Sequence, residues 1–148
     1  MRNKYLKIYL AGKMSGLDYD TMYQWRNHTK ILLLLEGEKA GYNIEVINPV
    51  DFYNFEETIQ QSDKEVEEYD LAQATSSDLI VVNLEGLSSS DGSKIELHDC
   101  NYHHRIPVIA FGDIQLYNNL HPWIKNDITR VEPNIQGVVD YITNFYMY

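Results

Sequence analysis

The chain has few of the features that mark a nucleic-acid-binding, membrane or disulfide-linked protein. Its 148 residues include one cysteine, Cys100, which excludes an internal disulfide and favours a reducing compartment. Lysine and arginine number 12 against 22 aspartates and glutamates, so the formal net charge is -10, which argues against a nucleic-acid polymer as partner. No apolar run is long enough to span a bilayer, and no signal peptide is recognisable. We therefore expect a cytoplasmic protein with a small-molecule substrate and no membrane partner.

Motifs for common cofactors are also missing. The chain has neither a Gly-x-x-x-x-Gly-Lys loop nor a Gly-x-Gly-x-x-Gly fingerprint, which argues against ATP or NAD as a ligand. His98, His103 and His104 come from one predicted helix without a cysteine pair beside them, so they do not form a recognisable metal site. We expect no cofactor and no metal ion.

Short apolar runs alternate with helical patterns along the whole chain. Strands are predicted over residues 6–11, 44–47, 79–84, 107–111 and 128–131, and helices over residues 20–39, 62–76, 94–104 and 135–145. This alternation predicts a single α/β domain over residues 1–148, a flavodoxin-like or Rossmann-like three-layer sandwich with a five-stranded, mainly parallel sheet. The flavodoxin-like strand order 2-1-3-4-5 is the one we expect, with Rossmann-like variants as the alternative.

A small-residue loop followed by a glutamate lies where the third predicted strand gives way to the third predicted helix. In open parallel sheets, ligands bind in the crevice at such carboxyl ends of strands. Glu96 would lie in the first helical turn, where the helix dipole and backbone N–H groups keep a carboxylate ionised, as a nucleophile requires. The structural alternative is that Ser93-Lys94-Ile95-Glu96 forms a capping box.

Asp70 and Tyr9 are further candidates for chemistry. Asp70 follows Val66 by one helical turn, so we expect it to point toward the sheet, where a carboxylate must be paired or used. A solvated aspartate at the edge of the apolar stripe is the alternative. Tyr9 lies in the first strand, where its hydroxyl could donate to a carboxylate, although an ordinary core tyrosine is the alternative in a chain with 12 tyrosines.

Taken together, these segments resemble the nucleoside 2-deoxyribosyltransferase family, which includes the 2'-deoxynucleoside 5'-monophosphate N-glycosidases. Ile8-Tyr9-Leu10-Ala11-Gly12 is similar to the family's opening strand with its active-site tyrosine, and Asp70-Leu71 is similar to its helix-two aspartate motif. Asp91-Gly92-Ser93-Lys94-Ile95-Glu96-Leu97 is similar to the Asp-Gly-Ser/Thr-x-x-Glu-Leu signature that delivers a nucleophilic glutamate. The resemblance covers nearly the whole chain in order.

The resemblance implies base exchange on 2'-deoxyribonucleosides through a covalent 2-deoxyribosyl-glutamate intermediate. In that reaction Glu96 is the nucleophile, Tyr9 orients its carboxylate, and Asp70 protonates or steers the leaving base. The substrate-binding residues that it implies are Gly12, Ser90, Asp91, Gly92, Ser93, Asn119 and Tyr148.

The resemblance also implies a homo-oligomer, because the family builds its sites across subunits. Asn119 matches an asparagine that reaches a neighbouring subunit's site, and Tyr148 matches a terminal residue whose carboxylate enters the site. The aromatic tail, residues 145–148, would be costly to leave exposed, which also favours a homo-oligomer.

Two departures from the family pattern leave the exact reaction open. Ser90 stands where many transferases carry a second acid, whereas the related N-glycosidases place a serine there, near the phosphate. Lys94 replaces a small residue and adds positive charge at the loop. The alternatives are therefore a 2'-deoxynucleoside 5'-monophosphate N-hydrolase and a non-catalytic nucleotide-binding module, with generic FMN binding as a more distant one.

Overall fold

A parallel sheet forms the centre of the protein. The computed structural model describes residues 3–53 and 56–147. Within these residues the strands are β1 (Tyr5–Ala11), β2 (Asn43–Ile47), β3 (Leu79–Asn83), β4 (Val108–Phe111) and β5 (Arg130–Glu132). They form a 5-stranded sheet in the order β2-β1-β3-β4-β5, and every neighbouring pair is parallel. The predicted α/β fold class and the predicted strand order are both confirmed.

Helices cover both faces of the sheet. They are α1 (Tyr19–Ala40), α2 (Asp63–Thr75), α3 (Asp91–His98), α4 (Ile114–Asn118), α5 (Pro122–Lys125) and α6 (Ile135–Tyr146). Because alternate residues of a strand point to opposite faces, β1 contributes to two separate cores. One core contains Ile8, Leu10, Leu33 and Val138, and the other contains Tyr9, Ala11, Ala74 and Leu97. None of the helices described here combines the length and apolar character needed to cross a bilayer.

The start of α2 is held by a capping box. Ser62 accepts from the backbone N–H of Glu65, and the Glu65 carboxylate accepts in return from the backbone N–H of Ser62. This cap fixes where the helix begins and therefore which residues share a face. Asp63, Glu67 and Asp70 all lie on the face that borders the cavity described below.

Helix α3 begins earlier than predicted. Its first residue is Asp91 and its N-cap is Ser90, whose carbonyl accepts from the Lys94 N–H at 3.1 Å. Ser93 is therefore inside the helix and 3% exposed, so the suggested capping box at Ser93-Lys94-Ile95-Glu96 does not exist. Beyond α3 the chain continues as a π-helical segment, Asp99–His103.

The region between β4 and β5 also differs from the sequence prediction. Strand β5 covers Arg130–Glu132 rather than residues 128–131. Two short helices, α4 and α5, precede it and were not predicted. They are too short for an apolar repeat to identify them, since that signal needs several turns.

Gly37→Ala is expected to destabilise the protein because α1 approaches β2 closely at this residue. A Cβ atom on Gly37 would overlap with Cγ1 of Ile44. Alanine normally favours a helix by about 1 kcal/mol over glycine, but overpacking costs about 1–3 kcal/mol, so we expect a net loss of about 1 kcal/mol. Urea unfolding measures this difference. Gly92→Ala on α3 is the matched control, because its Cβ would meet nothing within 4 Å. Equal effects of the two substitutions would contradict the expected overlap.

Candidate active site

A cavity of about 670 Å³ opens beyond the carboxyl ends of the central strands. Its walls come from the loop after β1, the connection between β2 and α2, one face of α2, and the turn that leads from β3 into α3. This is the crevice beside β1, where crossovers leave toward both sides of the sheet, and it is the usual ligand site of such folds. The volume falls in the range of small-molecule sites, about 300–1,000 Å³.

The cavity brings together most of the residues singled out in the sequence. Those in its walls are Gly12, Asp70, Ser90, Asp91, Gly92, Ser93 and Glu96. Tyr9 lies behind the wall, in β1, and is 1% exposed. Asn119 follows α4, is exposed, and is not among the described residues of the walls. Tyr148 lies outside the described residues, so the roles of Asn119 and Tyr148 at a neighbouring subunit's site stay predictions.

Glu96 lies in the second turn of α3, and not in the first turn as predicted, because the helix begins at Asp91. Its Oε2 atom is buried and has no hydrogen-bond partner in the described part of the chain. Burial raises the pKa of Glu96 to about 7; the Asp70 carboxyl also raises it, whereas the Tyr9 hydroxyl and the charge of Arg26 lower it. Burial thus opposes the ionised form that we expected from the helix start, and that expectation stays a prediction.

The Tyr9 hydroxyl lies beside the Glu96 carboxyl in the buried floor of the site. It is close enough to lower the pKa of Glu96, yet it does not reach ordinary hydrogen-bond geometry with any described group. Burial, followed by the charges of Glu96 and Asp70, raises the pKa of Tyr9 far above its ordinary value. The phenol therefore stays protonated and can serve as a donor to an ionised Glu96.

Asp70 has a hydrogen-bond partner that the sequence did not reveal. The Tyr53 hydroxyl donates to Asp70 Oδ1 at 2.5 Å, and both residues border the cavity. Burial raises the pKa of Asp70, while the Tyr53 hydrogen bond and the charge of Arg26 oppose that rise. A raised proton affinity suits a general acid, although that role of Asp70 is still a prediction. Tyr53 was missed because a single tyrosine in an aromatic loop carries no periodic signal.

A buried arginine supplies positive charge beneath both carboxyl groups. Arg26 is 0% exposed; its Nη1 donates to the Met22 carbonyl at 2.8 Å and its Nη2 to the Gly12 carbonyl at 3.0 Å. Its charge lowers the pKa of both Glu96 and Asp70, and burial lowers its own pKa to about 10. In the sequence Arg26 is only one charged residue of a long helix, so its central position was not predictable.

The turn before α3 contributes hydroxyl groups to the cavity, and the loop after β1 contributes a lysine. Ser90 Oγ donates to Ser93 Oγ at 2.8 Å, and Lys13 Nζ donates to Ser89 Oγ at 3.0 Å. Among residues 3–53 and 56–147, no side chain caps the N-terminus of α3, so its first N–H groups receive no side-chain oxygen from these residues. Lys94 pairs with Asp91 at 3.3 Å instead and is not among the described residues of the cavity walls.

The histidines of the π-helical region have aspartate or backbone partners. His98 Nδ1 lies 3.0 Å from Asp127 Oδ2, and His104 Nδ1 lies 3.0 Å from the Asp99 carbonyl. Over residues 3–53 and 56–147, no group of three or more His, Cys, Asp or Glu side chains is arranged to hold a metal ion. Two of the carboxyl groups in the cavity, Asp70 and Glu96, lie in different environments, which is a common basis for dividing acid and nucleophile roles.

Known structures share this architecture. A conserved protein from Enterococcus faecalis V583 superposes with a TM-score of 0.71 at 18% identity, over 95% of this chain and 98% of that one. A 2-deoxyribosyltransferase from Bacillus psychrosaccharolyticus gives a TM-score of 0.61 at 18% identity, over 91% of each chain. The chain has the fold of a 2-deoxyribosyltransferase.

A CMP N-glycosidase from Clostridium botulinum has the same fold, with a TM-score of 0.50 at 13% identity, over 94% of this chain and 99% of that one. The resemblance inferred from the sequence is therefore confirmed at the level of the fold. No protein-family model matches the chain, and no curated protein matches it.

Glu96→Gln is expected to stabilise the protein at alkaline pH. The folded-state pKa of about 7 lies above the ordinary value of 4.5, so the folded protein binds this proton more tightly than the unfolded chain does. Stability is then lost as the pH rises between these values, because the unfolded state binds fewer protons there. Glutamine removes the buried charge, so we expect its free energy of unfolding to exceed that of the wild type by about 3 kcal/mol at about pH 8.

Urea unfolding at about pH 8 and about pH 5 checks this expectation, and the gain should shrink at the lower pH. Glu38→Gln, on the exposed side of α1, is the control and should change the free energy of unfolding by less than about 0.5 kcal/mol. A Glu96→Gln protein no more stable than the wild type at alkaline pH would show that burial of the charge is not costly.

Proposed function

We propose that the protein cleaves the N-glycosidic bond of 2'-deoxyribonucleosides and transfers the 2-deoxyribosyl group to a second nucleobase. One observation carries this proposal. Glu96 and Asp70 border a single cavity and influence each other, with Tyr9 beside Glu96, in a chain that has the fold of a 2-deoxyribosyltransferase. The alternative explanation of Glu96, as part of a capping box with Ser93, does not apply because that capping box is absent.

In the proposed reaction, a Glu96 oxygen attacks C1' while the bond between C1' and the base nitrogen breaks. The electron pair of that bond stays with the base, and the Asp70 carboxyl gives its proton to the base. The transition state has oxocarbenium character, as in retaining glycoside cleavage. A sugar without a 2'-hydroxyl destabilises this cation less and leaves room for the carboxylate. No step as written needs a metal ion or an organic cofactor.

The second half of the proposed reaction reverses the first. A new base attacks C1' from the face that the first base left, the bond between C1' and Glu96 breaks, and the proton of the new base returns to Asp70. The sugar therefore keeps its configuration. If water attacks instead, the product is free deoxyribose and the reaction is hydrolysis.

Part of the electrostatics of the site favours an ionised Glu96, whereas burial and the Asp70 carboxyl oppose it. The reactive arrangement has the proton on Asp70 and the charge on Glu96. Arg26 and the Tyr9 hydroxyl both favour the ionised form of Glu96, which is the form that can attack C1'.

Glu96→Ala is expected to lower base exchange and base release by at least about a thousandfold, because it removes the attacking atom. Asp70→Asn is expected to lower both by about a hundredfold or more, because the base then leaves without a proton. Chromatography of a 2'-deoxynucleoside, with and without a second free base, measures both rates and separates transfer from hydrolysis.

Mass spectrometry of wild-type protein mixed with substrate should show an added 2-deoxyribosyl group that Glu96→Ala lacks. Glu38→Gln is the control for a mere loss of one carboxylate. Wild-type rates in Glu96→Ala would reject it as the nucleophile. Tight nucleotide binding without any turnover by the wild type would instead favour a non-catalytic binding module.

A 5'-monophosphate N-hydrolase is the second candidate, and it is favoured by the turn before α3 together with the loop after β1. Lys13, Ser89, Ser90 and the uncapped start of α3 would suit a phosphate group. Against it, the acidic residues in the described walls, Asp63, Glu67, Asp70, Asp91 and Glu96, outnumber the lysine, Lys13. We therefore expect the nucleoside to be the better substrate.

A comparison of kcat/KM for a 2'-deoxynucleoside and its 5'-monophosphate tests this expectation. Lys13→Met should lower kcat/KM for the monophosphate about tenfold or more, since a hydrogen bond to a charged group is lost, and leave the nucleoside unaffected. Ser76→Ala, a serine remote from the cavity walls, is the control. A higher kcat/KM of the wild type for the monophosphate than for the nucleoside would favour the 5'-monophosphate N-hydrolase as the function.

The homo-oligomer implied by the resemblance belongs to the same proposal. Asn119 is exposed at the end of α4, as a contact with a neighbouring subunit requires, and Trp123 on α5 is 76% exposed. In the aromatic tail, Phe145 is 57% exposed whereas Met147 is 5% exposed. Size-exclusion chromatography with light scattering tests the assembly, and a monomer at assay concentration would contradict it.

A further inference from the structure

Among the described residues, Tyr53 makes the shortest hydrogen bond to either carboxyl group of the site, and the proposed reaction does not use it. It follows a 3-10 turn, Pro49–Phe52, which Asn48 begins by accepting from the Val50 N–H at 3.1 Å. From there its hydroxyl donates to Asp70 Oδ1 at 2.5 Å across the wall of the cavity. The connection between β2 and α2 is thus joined to α2 at the proposed general acid.

The ring of Tyr53 is held in place by aromatic neighbours. Its centroid lies 6.3 Å from that of Phe52 and 6.3 Å from that of Tyr69, and both pairs meet edge to face. Phe52 and Tyr69 also contact each other, with centroids 5.2 Å apart. These contacts fix the ring independently of the hydroxyl group, so a phenylalanine at this position would keep them.

From this geometry we infer that Tyr53 is a positioning residue for Asp70, whose hydroxyl orients the carboxyl group and directs its acidic proton to Oδ2. Oδ1 accepts the hydrogen bond from the Tyr53 hydroxyl. A proton bound to Oδ1 would therefore be repelled by the hydrogen of that O–H group. The neutral acid therefore carries its proton on Oδ2, the oxygen left to face the leaving base. This role rests on the proposed glycosyl transfer, in which that proton moves to the base as the bond to C1' breaks.

Titratable and charged groups from several elements surround Asp70, and of these Tyr53 and Arg26 lower its pKa. Glu96 comes from α3, Tyr9 from β1, Arg26 from α1 and Tyr53 from the β2–α2 connection. Asp63 and Glu67 on α2 itself and Lys13 after β1 border the same cavity. Of these groups, Tyr53 is the one that donates a hydrogen bond to Asp70, and it stays protonated because burial raises its own pKa.

The experiment compares Tyr53→Phe with the wild type in base release from 2'-deoxyadenosine across a range of pH. We expect kcat to fall about tenfold to a hundredfold, as for loss of a hydrogen bond to a charged group, with KM changed little. The limb of the kcat profile that reports the protonation of Asp70 should move to higher pH. Loss of a donor to the ionised carboxylate raises the pKa of Asp70, and the acid then stays protonated to a higher pH.

Tyr69→Phe is the matched control, since it removes a hydroxyl from the same aromatic cluster and Tyr69 is absent from the described cavity walls. Its kcat and pH profile should match the wild type. A Tyr53→Phe enzyme with wild-type kcat and pH profile would overturn the inference. A change in KM alone would also overturn it, because Tyr53 would then bind substrate rather than position Asp70.

A second measurement separates this inference from the proposed function. The carboxyl ¹³C resonance of Asp70, assigned by its loss in Asp70→Asn, is titrated in wild type and Tyr53→Phe without any substrate. An upward move of its pKa in Tyr53→Phe supports the inference even if the wild type turns over no nucleoside. An unchanged titration refutes it even if the wild type is active. Thermal unfolding of each variant verifies that the fold is retained.

Discussion

The site depends on the burial of two carboxyl groups close to one another. Charge repulsion and loss of water both disfavour the state in which Glu96 and Asp70 are ionised together. Their pKa values therefore lie above those of exposed carboxyl groups. A proton retained near neutral pH is what acid catalysis requires, and the remaining carboxylate is what nucleophilic attack requires.

The surroundings offset part of this unfavourable burial. Arg26 adds a positive charge beneath the pair, and its guanidinium is held by backbone carbonyls rather than by either carboxylate. It thus lowers the pKa of both groups without forming an ion pair that would bind one of them firmly. Tyr9 and Tyr53 contact different carboxyl groups. Tyr9, in β1, lies beside Glu96, whereas Tyr53, in the connection between β2 and α2, donates to Asp70. Buried carboxyl groups that destabilise the folded chain in this way are common at functional sites.

The topology of the sheet explains why these residues meet. Strand β1 lies between β2 and β3, so the segments after all three strands converge on one end of the sheet. Those segments contribute Gly12, Tyr53 and Glu96, and α2 contributes Asp70 from the side. Folds of this kind support many activities, so the function proposed here depends on the carboxyl pair and its donors rather than on the fold alone.

Local sequence signals determined the longer elements, their order along the chain and the carboxyl candidates. The apolar runs and the capping box at Ser62 are local, and so are the motifs around Tyr9, Asp70 and Glu96, so each was recognisable without the rest of the chain. What only the tertiary structure decided is the environment of those groups. Helix α3 begins at Asp91 because of backbone hydrogen bonding. The serine-rich loop would permit a helix to begin at more than one residue, so its sequence alone did not determine the start. Arg26 and Tyr53 reach the site across long sequence separations, and the pKa of Glu96 depends on burial by several elements at once, which no spacing in a sequence records.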